Sequence, residues 1–155
     1  MPQCEARLRE MGYVLPIPAA PVANYVPFVR TGNLIHISGQ VSNDGGGRIK
    51  GTVGFDLTTD DGVEAARVCG LNLLAQMKAA AGDLDAVVRV VKLNAFVQAG
   101  PDFYDIPKVI NGCSDLMVAV LGDAGKHARS AVGMYKLPMG FAVEIDAMIE
   151  VMDRR

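Results

Sequence analysis

The sequence predicts an α+β domain in which a mixed sheet carries two helices on one face, in the order β-β-α-β-α-β-β. Three observations lead there. The apolar period switches between two residues and three to four residues along the chain. Two stretches show a single apolar stripe and end at glycine. The last run places an apolar residue at every second position, with Glu144, Asp146 and Glu150 between them.

Taken in order, Leu15 to Pro27 holds four prolines and reads as an extended arm, because proline and the residue before it both disfavour helix. Asn33 to Ser38 is a β-type run closed by Gly39, and Asn43 to Gly47 (N-D-G-G-G) is a turn signal with a strand pair expected around it. From Asp61, apolar residues from Val63 to Ala81 recur at helical spacing, with Asp61 and Glu64 placed like a capping pair and Gly82 at the end. Val87 to Val97 is β-branched and apolar on both faces, the pattern of an interior strand. A second helix follows: Ile106 to Leu121 forms one stripe, Pro107 sits in its first turn, and Gly122 stops it. The end reads as a hairpin, Ser130 to Lys136, the turn L-P-M-G, then Phe141 to Met152. In its last strand Phe141, Val143, Ile145, Ala147, Ile149 and Val151 face the helices, and Glu144, Asp146 and Glu150 face away.

A chain of 155 residues suits one domain, 1–155 with residues 1–15 as an N-terminal extension, and is long enough to bury about two-thirds of its unfolded surface. Half of the residues are hydrophobic and 21% are charged, as in folded proteins. Net charge is -2 and the 15 basic residues are scattered, which disfavours nucleic acid as a partner. No apolar run approaches the roughly 20 residues of a membrane span, so a soluble, cytoplasmic protein is expected. The slightly positive mean hydropathy implies that an apolar face is buried against further copies of the chain. Cys4, Cys69 and Cys113 are too far apart in sequence for a C-x-x-C pair and read as reduced thiols.

In the predicted hairpin register Lys136 pairs with Phe141, and Arg129, Ala131 and Gly133 share a face with Glu144 and Asp146. Arg129 then lies opposite Met148, roughly 13 Å from Glu144 at about 3.3 Å per residue, a gap that fits a small substrate. The alternative is a set of solvated charges on an open sheet face. Of the two histidines, His36 sits mid-strand as a structural residue, whereas His127 stands two residues before Arg129 and is a candidate for the pocket lining. The D-G-G-G stretch lacks the lysine and helix of a phosphate loop, and H-E-x-x-H, G-x-S-x-G and spaced acid clusters do not occur. Neither a metal, nor a cofactor, nor a Ser-His-Asp triad is expected.

Two segments carry a resemblance. N-Y-V-P-F-V-R-T-G-N-L-I-H-I-S-G-Q (Asn24 to Gln40) and H-A-R-S-A-V-G-M-Y-K-L-P-M-G-F-A-V-E-I-D-A (His127 to Ala147) resemble the N- and C-terminal signatures of the YjgF/RidA family, over about Pro16 to Met152. The resemblance implies a chorismate-mutase-like fold, a homotrimeric barrel with a cleft at each subunit boundary, and hydrolysis of reactive 2-imino or 2-enamino acids to 2-keto acids and ammonia. It implies Arg129 as a bidentate clamp for the substrate carboxylate, a geometry lysine lacks. It implies Glu144 as the group that orients water and shuttles protons. Tyr25, Ser38 and Gly39 then line the pocket, and Asn111 is the candidate for the family's pocket asparagine. Many relatives carry cysteine two residues after the arginine; here Ala131 stands there, which points to a divergent branch. Two further functions remain open: a non-catalytic trimeric module that binds or senses small carboxylates, and an endoribonuclease, which the net negative charge disfavours.

Overall fold

The computed structural model describes residues 3–18, 20, 23–45 and 49–153. A short helix, α1 (Gln3–Glu10), precedes β1 (Phe28–Thr31), β2 (Leu34–Val41), α2 (Thr59–Ala81), β3 (Val87–Gln98), α3 (Ile106–Leu121), β4 (Ala128–Met134) and β5 (Val143–Val151). After α1 the order follows the expected alternation. The described residues between α1 and β1 form neither helix nor strand. Helix α1 was not anticipated from the polar N-terminus; it buries Cys4 and Leu8, and its first backbone N–H groups, at Gln3 and Cys4, donate to the Asp85 carboxylate at 2.7 and 2.9 Å.

Helix α2 begins at a capping box in which Thr58 Oγ1 accepts from the Asp61 N–H at 3.1 Å and Asp61 Oδ2 accepts from the Thr58 N–H at 2.9 Å. The pair is therefore Thr58 and Asp61, not Asp61 and Glu64, because the box needs a hydroxyl at its first position; Glu64 instead pairs with Arg67. Gly82, at φ 85°, ends the helix as expected. In α3 the whole predicted stripe is buried, with Pro107 in the first turn and Gly122 at the end.

The sheet runs β1-β2-β5-β3-β4. Val143, Ile145, Ala147, Ile149 and Val151 of β5 and Leu93, Ala95 and Val97 of β3 are buried on the face covered by α2 and α3. Each fully buried isoleucine or leucine there contributes about 1.5–3 kcal/mol relative to exposure. Glu144, Asp146, Met148 and Glu150 point to the opposite face, as the alternation requires.

The C-terminal hairpin does not form. β4 pairs with β3 in parallel, Leu93 beside Arg129, while β5 pairs antiparallel with β3 and β2. β3 is an interior strand whose backbone groups are paired on one edge by β4 and on the other by β5. The crossover that a parallel pair requires is α3. The L-P-M-G segment, with Met139 at φ 57° and Gly140 at φ 75°, carries the chain past the end of β3 instead of folding β4 back on β5. Buried Gln98 holds that crossing: its Oε1 accepts from the Leu137 N–H at 2.9 Å, its backbone N–H donates to Ala142 O at 2.8 Å, and its Nε2 donates to Gly51 O at 2.9 Å. Phe141 accordingly bridges Lys50, not Lys136.

Two smaller corrections concern the first strands. β2 runs through Gly39 to Val41 as a bulged strand, with a register shift between Ile37 and Gln40. Its partners are β1 and β5, so no regular strand follows the Asn43 to Gly47 turn; residues 46–48 of that turn lie outside the described residues.

Candidate functional site

The chemistry-bearing residues fall into two groups on different surfaces of one chain. The first is built around the β2 bulge. Ser38 fixes it: its N–H donates to Pro27 O at 2.9 Å, its Oγ donates to Val26 O at 2.8 Å, and its carbonyl accepts from Gln40 Nε2 at 3.0 Å. These bonds hold the segment bearing exposed Tyr25 beside the bulge. Across from it Glu144 pairs with Val41, and its side chain lies over Gly39, where a Cβ would stand 3.0 Å from Glu144 Cδ. Tyr25, Ser38, Gly39 and Glu144 line one cleft of about 750 Å³, whose other walls include Val68 and Leu71 of α2 and Met139.

Glu144 is half-buried in this largely apolar cleft. Burial pushes its pKa above the ordinary carboxylate value, and the neighbouring Asp146 charge adds to the effect. Asp146 accepts from Asn94 Nδ2 at 2.9 Å, so its acceptor is engaged while Glu144 faces the cleft. A carboxylate held this way exchanges protons closer to neutral pH than a solvated one, the property required of a general acid-base group.

The second group lies along the seam between α3 and β4. The parallel register puts Arg129, Ala131 and Gly133 level with Leu93, Ala95 and Val97, on the helix-covered face. They do not share a face with Glu144 and Asp146, and the expected carbon-copy surface of one cation and two carboxylates is overturned by the parallel pairing. Arg129 also sits three strand residues away from the level of Glu144 and two strands across, about 10 Å in each direction. Its Nη1 donates to Ser114 Oγ at 3.0 Å and its Nη2 to Pro107 O at 3.3 Å. His127 lies within the same seam, with Nε2 2.8 Å from Ser114 Oγ and Nδ1 2.6 Å from Gly125 O. Asn111 is exposed on α3 between Pro107 and Ser114, and Ala131 packs against the core. A smaller cavity of about 350 Å³ continues the seam, lined by Phe103, Tyr104, Ile106, Gly133 and Met134.

Ser114, Gln40 and Asn94 were missed from the sequence. Ser114 had a signal, since it follows Pro107 by seven residues, two helical turns, and so shares its face; the polar pairs of Gln40 and Asn94 depend on the bulge and on strand order. His36 is exposed on the open face of β2. Among the described residues no group of three or more His, Cys, Asp or Glu side chains is placed to hold a metal, and no helix is long and apolar enough to cross a membrane. All three cysteines are free and buried; burial pushes the Cys113 thiol up to about 12 and the Cys69 thiol well above its usual range, while burial and the nearby Asp85 carboxylate raise Cys4 to about 12.

Residues 5–145 match the model of the YjgF/chorismate mutase-like endoribonuclease family, a span that takes in both groups of residues. The chain belongs to the YjgF/RidA family. It is 50% identical over 148 residues to Protein TCP17 of Trypanosoma cruzi, covering 94% of this chain and 92% of that protein. Among solved structures, the Atu1372 protein of Agrobacterium tumefaciens is 47% identical, with a TM-score of 0.89 and coverage of 96% of this chain and 92% of that one. RidA from the Antarctic bacterium Psychrobacter sp. PAMC 21119 is 27% identical, with a TM-score of 0.61 over 87% of this chain and 94% of that one. The α+β architecture of this YjgF/RidA chain, a mixed sheet with its helices gathered on one side, is shared with these two solved structures.

Proposed function

We propose that this YjgF/RidA protein hydrolyses reactive 2-imino acids, or their 2-enamino tautomers, to 2-keto acids and ammonia, in a homotrimer whose sites are completed between copies. The observation that carries the reading is Glu144, a half-buried carboxylate with a raised pKa at the wall of a cleft shared with Tyr25 and Ser38. In this reading Glu144 takes a proton from the water that attacks C2 of the iminium. A carbinolamine forms; the proton then goes to its nitrogen, the C–N bond breaks, and the keto acid and ammonium leave. No redox partner enters, and atoms and charge balance with one water consumed.

Arg129 holds the substrate carboxylate. It lies on the other face of its own sheet from Glu144, so the pair acts together only when a second copy brings its α3–β4 seam to the first copy's cleft. The uncovered sheet face supports that assembly: Val29, Leu34, Val132 and Met134 are exposed there, beside Met148 and Phe96.

The test is ammonia release from imino acids generated in situ by an amino-acid oxidase. Faster release than the spontaneous rate, abolished by Glu144→Gln, is expected. Keto-acid binding without any acceleration over a panel of imino acids replaces the hydrolase with a carboxylate-binding module.

A further inference from the structure

We infer that Ser114 and His127 are positioning residues for Arg129: they hold its guanidinium in one orientation, so that the fork for a ligand carboxylate is set before the ligand arrives. The inference rests on the reading of Arg129 as the carboxylate clamp.

The orientation traces back to a fixed point in the backbone. At Gly125 a Cβ would stand 2.1 Å from Met117 O, so this residue packs its bare backbone directly on α3 and no side chain fits. Its carbonyl, held by that contact, accepts at 2.6 Å from His127 Nδ1, which must therefore carry the proton, since a carbonyl only accepts. In the neutral ring Nε2 is then an acceptor. The Ser114 hydroxyl, 2.8 Å away, donates to it and turns its lone pairs toward Arg129 Nη1 at 3.0 Å. Each bond settles the direction of the next.

Helix geometry supplies the second anchor. Backbone carbonyls point toward a helix C-terminus, whereas side chains lean toward the N-terminus. The Pro107 carbonyl and the Ser114 hydroxyl, two turns apart on one face of α3, thus lean toward each other, and Arg129 spans the gap between them, through Nη2 and Nη1. Of five guanidinium N–H groups two are engaged, which leaves three for a ligand and permits a bidentate pair. The torsional freedom of a long side chain is lost at folding, not at binding.

The experiment compares 2-oxobutanoate with its neutral primary amide by calorimetry, in the intact oligomer. Ser114→Ala is expected to weaken 2-oxobutanoate about tenfold, the scale of one hydrogen bond to a charged group, and to leave the amide unchanged. Ser114→Thr, which retains the hydroxyl, restores binding. In an Arg129→Ala background Ser114→Ala adds nothing further, because its action passes through the guanidinium. His127→Phe, one bond more remote, gives the same selective loss at smaller size and serves as the second variant if Ser114→Ala is poorly folded. Equal losses for the keto acid and the amide, or additive losses in the Arg129→Ala background, overturn the positioning role. So does Ser114→Ala binding like the parent when Arg129→Ala does not. Arg129→Ala binding like the parent overturns the clamp itself, and the inference with it.

Discussion

The Glu144 carboxylate lies against the bare Cα of Gly39, where an added Cβ would stand 3.0 Å from Glu144 Cδ and 3.2 Å from its Oε2. Gly39→Ala thus displaces the carboxylate while leaving the backbone conformation allowed. The variant is expected to fold, with a stability loss of about 1 kcal/mol, and to slow imine hydrolysis by roughly threefold to tenfold, since the carboxylate must give way by a few tenths of an ångström. Thermal melts beside ammonia-release rates check both halves.

Glu144→Gln separates catalysis from stability. The raised pKa means that the folded chain holds this proton more tightly than the unfolded chain does. Stability from this group is therefore fully present below the ordinary carboxylate pKa of about 4.3 and is lost as pH rises through the folded value. Glutamine, uncharged throughout, escapes that loss. The variant should melt above the parent at pH 7 and converge with it near pH 4, while turnover falls far more than keto-acid affinity. A parent that melts higher at pH 7 contradicts the burial argument.

Arg129→Lys keeps the charge and removes the planar fork. Binding of 2-keto acids should weaken by about 1–3 kcal/mol, and Arg129→Ala should be worse. Calorimetry on the assembled protein decides it; unchanged binding in both variants assigns the carboxylate elsewhere.

Three copies are expected in solution. Light scattering coupled to size exclusion should give roughly three times the 16.4 kDa of the chain. A monomer at micromolar concentration contradicts the joining of the α3–β4 seam of one copy to the cleft of another.

Gln98→Ala tests the crossing that replaced the hairpin. It leaves the buried Leu137 N–H without its acceptor, at about 1–3 kcal/mol for a buried group left unpaired, and takes the Gln98 donor from the part-buried Gly51 O. Chemical denaturation should show a loss of that order. A loss below 0.5 kcal/mol, taken as roughly the scale of an ordinary surface substitution, means that water replaces the side chain.

What the sequence disclosed follows from the range of each signal. Helical stripes and their glycine stops are local, so α2 and α3 were legible almost to the residue, as was the facing of β5. Strand neighbours are not local. The L-P-M-G turn looked like a hairpin because nothing within those residues reveals Gln98, about forty positions earlier in the chain, holding Leu137. That single error moved Arg129 to the wrong face. The bulge at Ser38 and Gly39 was equally hidden, since its cause is contact with Val26, Pro27 and Glu144. The family signatures named candidate residues without their arrangement, and the arrangement splits them.

The three thiols have a use unrelated to ligand binding. Each is shut inside the fold and held in the protonated, unreactive form, from α1 at one end to the facing helices α2 and α3. An alkylating reagent at neutral pH therefore modifies them only as fast as the chain opens around them. Cys4 reports the detachment of the N-terminal helix, and Cys69 and Cys113 report the parting of the helical layer from the sheet, so the native sequence already contains two separately readable clocks for its own unfolding.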